Sequence, residues 1–176
     1  MNEVIEESGM SFGPYPEGHC FYIEKSALYA GLGEGLQIGE FALLRESRKG
    51  QALWLVEAKS SSPRPGTLPG FDTFIADIAQ KMTNTLQILL AAILKRHTNT
   101  DELSKAFQAI HLQAISIKFI LVINGHREDW LPPIQHALNQ KLAVFAKSLA
   151  LGAQTVAVLN HSLAQRHGLI AAPTTA

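Results

Sequence analysis

An apolar segment, residues 53–56, is followed directly by Glu57, Ala58 and Lys59. Alternate side chains of an extended strand share one face, so Glu57 and Lys59 are predicted to lie side by side, with Cα atoms roughly 7 Å apart. Two opposite charges at the end of an apolar strand indicate a strand that leaves the core and enters a cleft. We therefore expect these three residues to be the chemical centre of the chain.

A second carboxylate, Glu40, stands between Gly39 and the apolar run of residues 41–44. The connection at residues 46–50 is short, which is typical of an antiparallel pair of strands. If the segments on either side of it pair, Glu40 lies on the strand next to that of Glu57. The two carboxylates would then be close enough to share a cation.

The elements that must position these residues follow from the hydrophobic period of the sequence. Period-two segments and runs of β-branched residues predict strands, and a period of about 3.6 residues, which starts at residue 71, predicts helices. The predicted strands are residues 21–29, 36–44, 52–59, 115–123 and 155–159, and the predicted helices are residues 71–93, 99–111, 131–149 and 162–167.

This order of elements predicts an α/β fold in which an antiparallel meander feeds a crossover helix, giving a mixed β-sheet flanked by helices. The 176 residues suffice for one ordinary domain and are few for two. We expect a single domain over residues 1–176 with its core at about residues 20–160. Glycine and proline predict an irregular segment at residues 1–19, and residues 171–176 are expected to be a frayed tail.

An acid, then an apolar strand that ends in Glu-x-Lys, is a pattern that resembles the PD-(D/E)XK (restriction-endonuclease-like) nuclease superfamily. Residues 53–61 match the signature strand of that superfamily, and the helix, strand, helix and strand that follow match the order of elements in its core. The resemblance covers roughly residues 20–160. It implies a restriction-endonuclease-like fold and a nuclease that hydrolyses phosphodiester bonds in nucleic acid, with DNA favoured over RNA.

The resemblance also implies roles for individual residues. Glu40 matches the first acid, where the family more often has Asp after Pro and this chain has Gly39 before it. Glu57 matches the second acid and Lys59 the lysine. The two carboxylates would bind Mg²⁺, or Mn²⁺ as a substitute, because hard cations prefer oxygen ligands. Lys59 would orient the attacking water or stabilise the scissile phosphate as a point charge.

Some members of this superfamily add an upstream acid and a polar residue on the next helix. Glu24 is the candidate for the additional metal ligand, and Lys81 is the candidate for an additional catalytic residue. Lys81 is about 100° from the centre of the apolar stripe, which places it at the border of the buried face, near the sheet. In the alternative reading, Glu24 pairs with Lys25, and Lys81 pairs with Asp77 one helical turn before it.

Composition restricts the class of protein and its location. Fifteen basic and fifteen acidic residues balance, so no global field favours nucleic acid or a membrane, although a local basic groove is compatible with neutrality. The single cysteine, Cys20, cannot form an internal disulfide and suits a reducing cytoplasm. The acidic N-terminus lacks the apolar segment of a signal peptide. A soluble cytoplasmic protein that does not bind membranes is expected.

Two other functions stay open from sequence. The chain could be a catalytically inactive subunit with the nuclease fold, acting in binding or assembly as a homodimer or within a larger protein complex, because a fold does not determine a function. It could also be a small-molecule-binding domain, which would require a closed apolar pocket away from Glu57.

Overall fold

The computed structural model describes residues 4–171, and most of the predicted tail lies outside them. The chain begins with an antiparallel hairpin, β1 (Ile5–Glu7) and β2 (Met10–Phe12). The prediction of an irregular segment at residues 1–19 is therefore wrong in this part. The two-residue turn explains the difference: Ser8 and Gly9 have φ of 52° and 73°, and positive φ at both turn residues matches the twist of paired strands.

The prediction of a strand at residues 21–29 is wrong over most of its length. Strand β3 (Cys20–Phe21) is followed by a 3₁₀ turn, Ile23–Lys25, and by the short helix α1 (Ala27–Ala30). Ser26 caps this helix, because its Oγ accepts the N–H of the residue three positions on at 3.1 Å. A hydroxyl at the N-cap favours a helical turn over an extended chain.

The central hairpin of the sheet consists of β4 (Phe41–Ser47) and β5 (Gly50–Lys59). The predicted strand at residues 52–59 is confirmed, whereas the one at residues 36–44 begins and ends later than predicted. The predicted antiparallel pairing is confirmed, with Phe41 opposite Val56.

The helices and strands after β5 follow the prediction except at one place. Their bounds are α2 (Gly70–Ile93), α3 (Lys105–Gln108), β6 (Ser116–Ile123), α4 (Leu131–Ser148), β7 (Val156–Asn160) and α5 (His161–Arg166). Only α3 is much shorter than its predicted range, residues 99–111. The Thr, Asn and Asp residues before Ser104 compete with helical hydrogen bonds and favour turns, and Ser104 itself caps α3.

The five strands of the main sheet run in the order β3-β4-β5-β6-β7. The pairs β3–β4 and β4–β5 are antiparallel, and β5–β6 and β6–β7 are parallel. The predicted mixed α/β sheet is confirmed at this level. Because β5 and β6 are parallel, their carboxyl ends lie at the same edge of the sheet, and two of the chain's clefts open there.

Each face of the sheet has its own core. Leu53 and Leu55 pack with the buried faces of α2 and α4, whereas Val56 and Ala58 pack with the β1–β2 hairpin and α5. This confirms the predicted alternation along β5 and places Glu57 on the α2 face. Among residues 4–171, the helices lack the combination of length and apolar character that a membrane span requires.

Candidate active site

Glu57 lies near the end of β5 with 1% of its surface exposed. Its Oε1 is 2.8 Å from the Nζ atoms of both Lys59 and Lys81. Lys59 comes from the same strand and Lys81 from α2, so the strand and the helix that packs on it each supply one ammonium group. A carboxylate this deeply buried is stabilised only when it is paired, and here two charge-assisted hydrogen bonds share one oxygen.

The structure places Lys81 at the border predicted for it. Its neighbours Ile78 and Met82 are buried against the sheet, and the Lys81 side chain reaches Glu57. Within the described part of the chain Lys81 pairs with Glu57 and not with Asp77. Burial lowers the pKa of Lys81, but the hydrogen bond and negative charge of Glu57 outweigh it, so the pKa is raised and the ammonium stays charged.

Glu40 directly precedes β4, and its backbone N–H donates to the Val56 carbonyl at 2.9 Å. The side chain is buried, with 6% exposed. Burial, the charge of Glu57, and the hydrogen bond and charges of Glu24 and Glu7 raise the pKa of Glu40 to about 8. The charge of Glu57 therefore acts on Glu40, which directly precedes β4, the strand that pairs with β5.

Glu40 also belongs to a group of three carboxylates. One oxygen each of Glu7, Glu24 and Glu40 lie within 4.8 Å of one another. Glu24 belongs to the 3₁₀ turn after β3, and its backbone N–H donates to the Glu40 carbonyl at 3.2 Å. It also forms the predicted ion pair with Lys25 at 3.7 Å. Glu24 therefore lies both beside Lys25 and in the group of carboxylates.

Glu7 is the residue that sequence reasoning missed. It ends β1, and the Tyr22 hydroxyl donates a hydrogen bond to its carboxylate. Burial, followed by the hydrogen bond and charge of Glu7, raises the pKa of Tyr22. The Ser8-Gly9 turn could have located Glu7 at a strand end, but only the packing of the hairpin on the sheet brings it to Glu24 and Glu40.

Two carboxylate oxygens of the site lack a hydrogen-bond partner in the described part of the chain. Glu40 Oε2 and Glu57 Oε2 are buried and accept no hydrogen bond from the residues that the structure describes. Burying an unpartnered carboxylate oxygen is costly. Oxygen ligands of this kind suit a hard divalent cation such as Mg²⁺, whose positive charge would offset the repulsion among the carboxylates. The carboxylates of Glu7, Glu24 and Glu40 form a donor set that fits such an ion, whereas Glu57 is outside this group.

No protein-family model, no curated protein and no solved structure matches this chain. The residues of the site must therefore carry any functional argument by their own chemistry and geometry.

Gly39 lets two backbone segments approach closely beside Glu57. A Cβ atom at this position would lie 3.2 Å from the Val56 carbonyl oxygen and 3.5 Å from Glu57 Oε2. The Gly39 N–H donates to Thr85 Oγ1 at 2.8 Å, and Thr85 Oγ1 in turn donates to the Lys81 carbonyl at 2.7 Å. These bonds tie the segment before β4 to α2 on the side of the site.

A charged cleft of about 390 Å³ lies in front of these groups. It is lined by side chains from α2, from the end of β5 and from the segment before β4, among them Glu24, Gln37, Lys59, Asp77 and Lys81. Lys59 is the more exposed of the two lysines, at 32% against 19% for Lys81. A substrate that enters this charged cleft would therefore meet Lys59 at its wall, while Glu57 stays behind it.

Proposed function

We propose that the chain is a Mg²⁺-dependent nuclease of the restriction-endonuclease-like kind, which hydrolyses phosphodiester bonds in nucleic acid, with DNA favoured over RNA. One observation carries the proposal. Glu40, which lies with Glu7 and Glu24, and Glu57, which pairs with two lysines at the end of β5, each have one buried carboxylate oxygen without a partner in the described part of the chain. Carboxylates that hold a cation next to a lysine can supply an activated water and stabilise the phosphate in phosphodiester hydrolysis.

Glu40 and Glu57 would hold the ion, with Glu24 as the additional ligand and Glu7 beside it. Bound Mg²⁺ would supply a more acidic water and neutralise charge that develops on the phosphate. The carboxylates contribute by losing the proton that burial and mutual repulsion keep on Glu40. Ion binding and deprotonation of Glu40 are therefore coupled.

The two lysines would have different tasks. Lys59 faces the charged cleft, so it can orient the attacking water or stabilise the scissile phosphate. Lys81 is more buried and holds Glu57 Oε1, so it fixes the direction of the Glu57 carboxylate. Lys59 would then act directly on the substrate, and Lys81 mainly through Glu57.

The alternative is a nuclease-fold subunit that binds or assembles without turnover. It is favoured by the fact that Lys59 and Lys81 already compensate the charge of Glu57 without an ion. The raised pKa of Glu40 has the same effect, because a protonated Glu40 needs no cation. The two functions differ in whether a divalent ion displaces this proton and whether cleavage follows.

The test is metal binding followed by cleavage with the purified chain. We expect titration with Mn²⁺ in a calorimeter to show binding in the micromolar to millimolar range, tighter at pH 8 than at pH 6. Mn²⁺ or Mg²⁺ should then support cleavage of labelled DNA, and EDTA should stop it. If the chain binds no Mn²⁺ and leaves single-stranded DNA, duplex DNA and RNA intact, the nuclease proposal is wrong.

A further inference from the structure

A second cleft, of about 480 Å³, opens at the same edge of the sheet. We call it the Trp130 cleft. It lies between the segment that follows β5 and the start of α4, and its lining includes Ser62, Arg64, His126, Trp130 and Ile134. The lining is mostly apolar, with a few polar groups that converge on it, and its volume is in the range of small-ligand sites.

Trp130 is the largest side chain of this cleft and is half exposed, at 50%. The His126 ring meets it edge-on, with ring centroids 5.5 Å apart and an interplanar angle of 89°. The Arg127 guanidinium lies 5.7 Å from the Trp130 ring centroid and pairs at 2.9 Å with Asp129, which also lines the cleft. An exposed indole held by a histidine and an arginine provides a flat surface on which a nucleobase can stack.

The polar groups of the Trp130 cleft suit a base and its phosphate. Ser62 Oγ and His126 Nε2 are 2.8 Å apart, and the His126 carbonyl is held by the Asn160 side-chain amide at 3.0 Å. Burial lowers the pKa of His126, which favours the neutral ring as a hydrogen-bonding group. Arg64 also lines the cleft, where its guanidinium can donate hydrogen bonds to a phosphate.

The Trp130 cleft adjoins the charged cleft. Ser62 follows Lys59 by three residues, a span of at most about 11 Å. On the neighbouring strand, the Asn124 N–H donates to the Lys59 carbonyl at 2.8 Å, and His126 is two residues further along. A nucleic acid strand with its phosphate at Lys59 could therefore place an adjacent base in the Trp130 cleft.

We propose that the Trp130 cleft receives one unstacked nucleobase, with Trp130 as the stacking surface, so that the substrate is nucleic acid with unpaired nucleotides. The inference rests on the proposed nuclease function, which supplies the nucleic acid strand at Lys59. A base inside a duplex is already stacked on its neighbours and cannot enter the cleft without leaving them. Single-stranded segments, frayed ends and flaps are thus preferred over blunt duplex.

The first test uses the intrinsic fluorescence of Trp130. The chain has two tryptophans, so Trp54→Phe leaves Trp130 as the only one. Titration with a dT12 oligonucleotide in EDTA, which prevents cleavage, should quench the fluorescence with saturation. The matched variant Trp130→Phe retains Trp54 and should show no quenching. Saturable quenching confined to Trp130 supports the inference, and unchanged Trp130 fluorescence during binding overturns it.

The second test measures affinity, using fluorescein-labelled dT12 and anisotropy in EDTA. Trp130→Ala should weaken binding about 5- to 150-fold, which corresponds to the loss of one stacked base. Trp130→Phe should keep most of the affinity. Val144→Ala is the control, because Val144 is 81% exposed on α4, the helix that follows Trp130, and lies outside the cleft. Thermal melts of each variant check that the fold is intact.

A blunt linear duplex of two complementary strands, which has no unpaired loop, distinguishes base stacking from general attraction. Trp130→Ala should leave the affinity for this duplex unchanged, and wild type should cleave single-stranded DNA faster than the duplex. Equal losses on dT12 and duplex, or no loss on either, would overturn the inference while metal-dependent cleavage could still stand. Conversely, quenching of Trp130 without cleavage in Mn²⁺ would overturn the nuclease function and leave the base-binding cleft in place.

Discussion

The charged cleft is lined by Lys59 at the end of β5, and the Trp130 cleft by residues 62–65, which follow it. The two clefts satisfy their polar groups in opposite ways. In the Trp130 cleft, Ser62 and His126 bond to one another at 2.8 Å. In the charged site, Glu57 Oε1 takes two ammonium groups, while Oε2 of Glu57 and of Glu40 has no partner in the described part of the chain.

Of the two regions, the charged site is the one with buried carboxylate oxygens that lack a partner among the described residues. The Trp130 cleft is internally hydrogen-bonded and mostly apolar, so its properties depend little on pH or metal. The charged site holds more carboxylates than its lysines can compensate, because Glu7 and Glu24 adjoin Glu40. In the proposed function protons or a divalent cation offset this excess, and the following changes act on this contrast.

The largest effect is expected from Glu57→Gln. The change keeps the shape of the side chain but removes the charge that binds Lys59, Lys81 and the proposed ion. Cleavage in Mn²⁺ should fall by about 10³-fold or more, because loss of a metal ligand removes on the order of 4 kcal/mol of transition-state stabilisation. Initial rates on labelled single-stranded DNA measure this. Binding of dT12 in EDTA should change much less, since the Trp130 cleft is untouched.

Glu46→Gln is the matched control for this change. Glu46 is an exposed acid near the other end of the β4–β5 hairpin, beside Gln51. The same loss of charge there should leave the cleavage rate within about twofold of wild type. If both variants lose activity alike, the effect comes from overall charge and not from the site.

A smaller effect is expected from pH, through Glu40. Its pKa in the folded chain is about 8, against an ordinary value of 4.5, so between these values the folded state binds the proton more tightly than the unfolded state. The free energy of unfolding should therefore fall as the pH rises from about 5 to 8. Thermal melts in EDTA across this range should show a decreasing Tm.

Glu40→Gln should flatten this dependence, because an amide neither loses a proton nor repels Glu7, Glu24 and Glu57. Added Mn²⁺ should restore the wild-type Tm at pH 8 and have a smaller effect at pH 6, since the ion must compete with the proton. A Tm that falls equally with pH in wild type and Glu40→Gln would assign the dependence to groups other than Glu40.

The smallest effect is expected from Gly39→Ala. The added Cβ would lie 3.2 Å from the Val56 carbonyl oxygen and 3.4 Å from Thr85 Oγ1, so the segment before β4 must shift. We expect the free energy of unfolding to drop by about 1–2 kcal/mol in urea titrations, together with weaker Mn²⁺ binding. The Trp130 cleft should keep its affinity for dT12.

Gly70→Ala provides the comparison for this change. Gly70 is the first residue of α2, and a Cβ there has no neighbour within 4 Å. The substitution should be neutral or stabilise the chain by up to about 1 kcal/mol, because alanine reduces the entropy of the unfolded state. A drop equal to that of Gly39→Ala would show that the close approach at Gly39 has no special cost.

The sequence by itself determined the parts of the fold that depend on long, regular patterns. The alternation along β5 predicted that Glu57 and Lys59 share a face, and the 3.6-residue stripe predicted α2 with Lys81 at its border. These predictions succeeded because period and burial are properties of a continuous segment. Where short local hydrogen bonds decide the backbone, as at Ser26 and at the Ser8-Gly9 turn, the predicted elements were wrong.

Only the tertiary structure decided which distant residues meet. Glu7 joins Glu24 and Glu40 because the N-terminal hairpin packs on the sheet, and Trp130 faces Ser62 because parallel strands end at one edge. Both choices depend on how separate hydrophobic faces pack, which no single segment encodes. The sequence thus pointed to Glu24, Glu40, Glu57 and the two lysines, while the packing added Glu7 and left more carboxylates than lysines in the site.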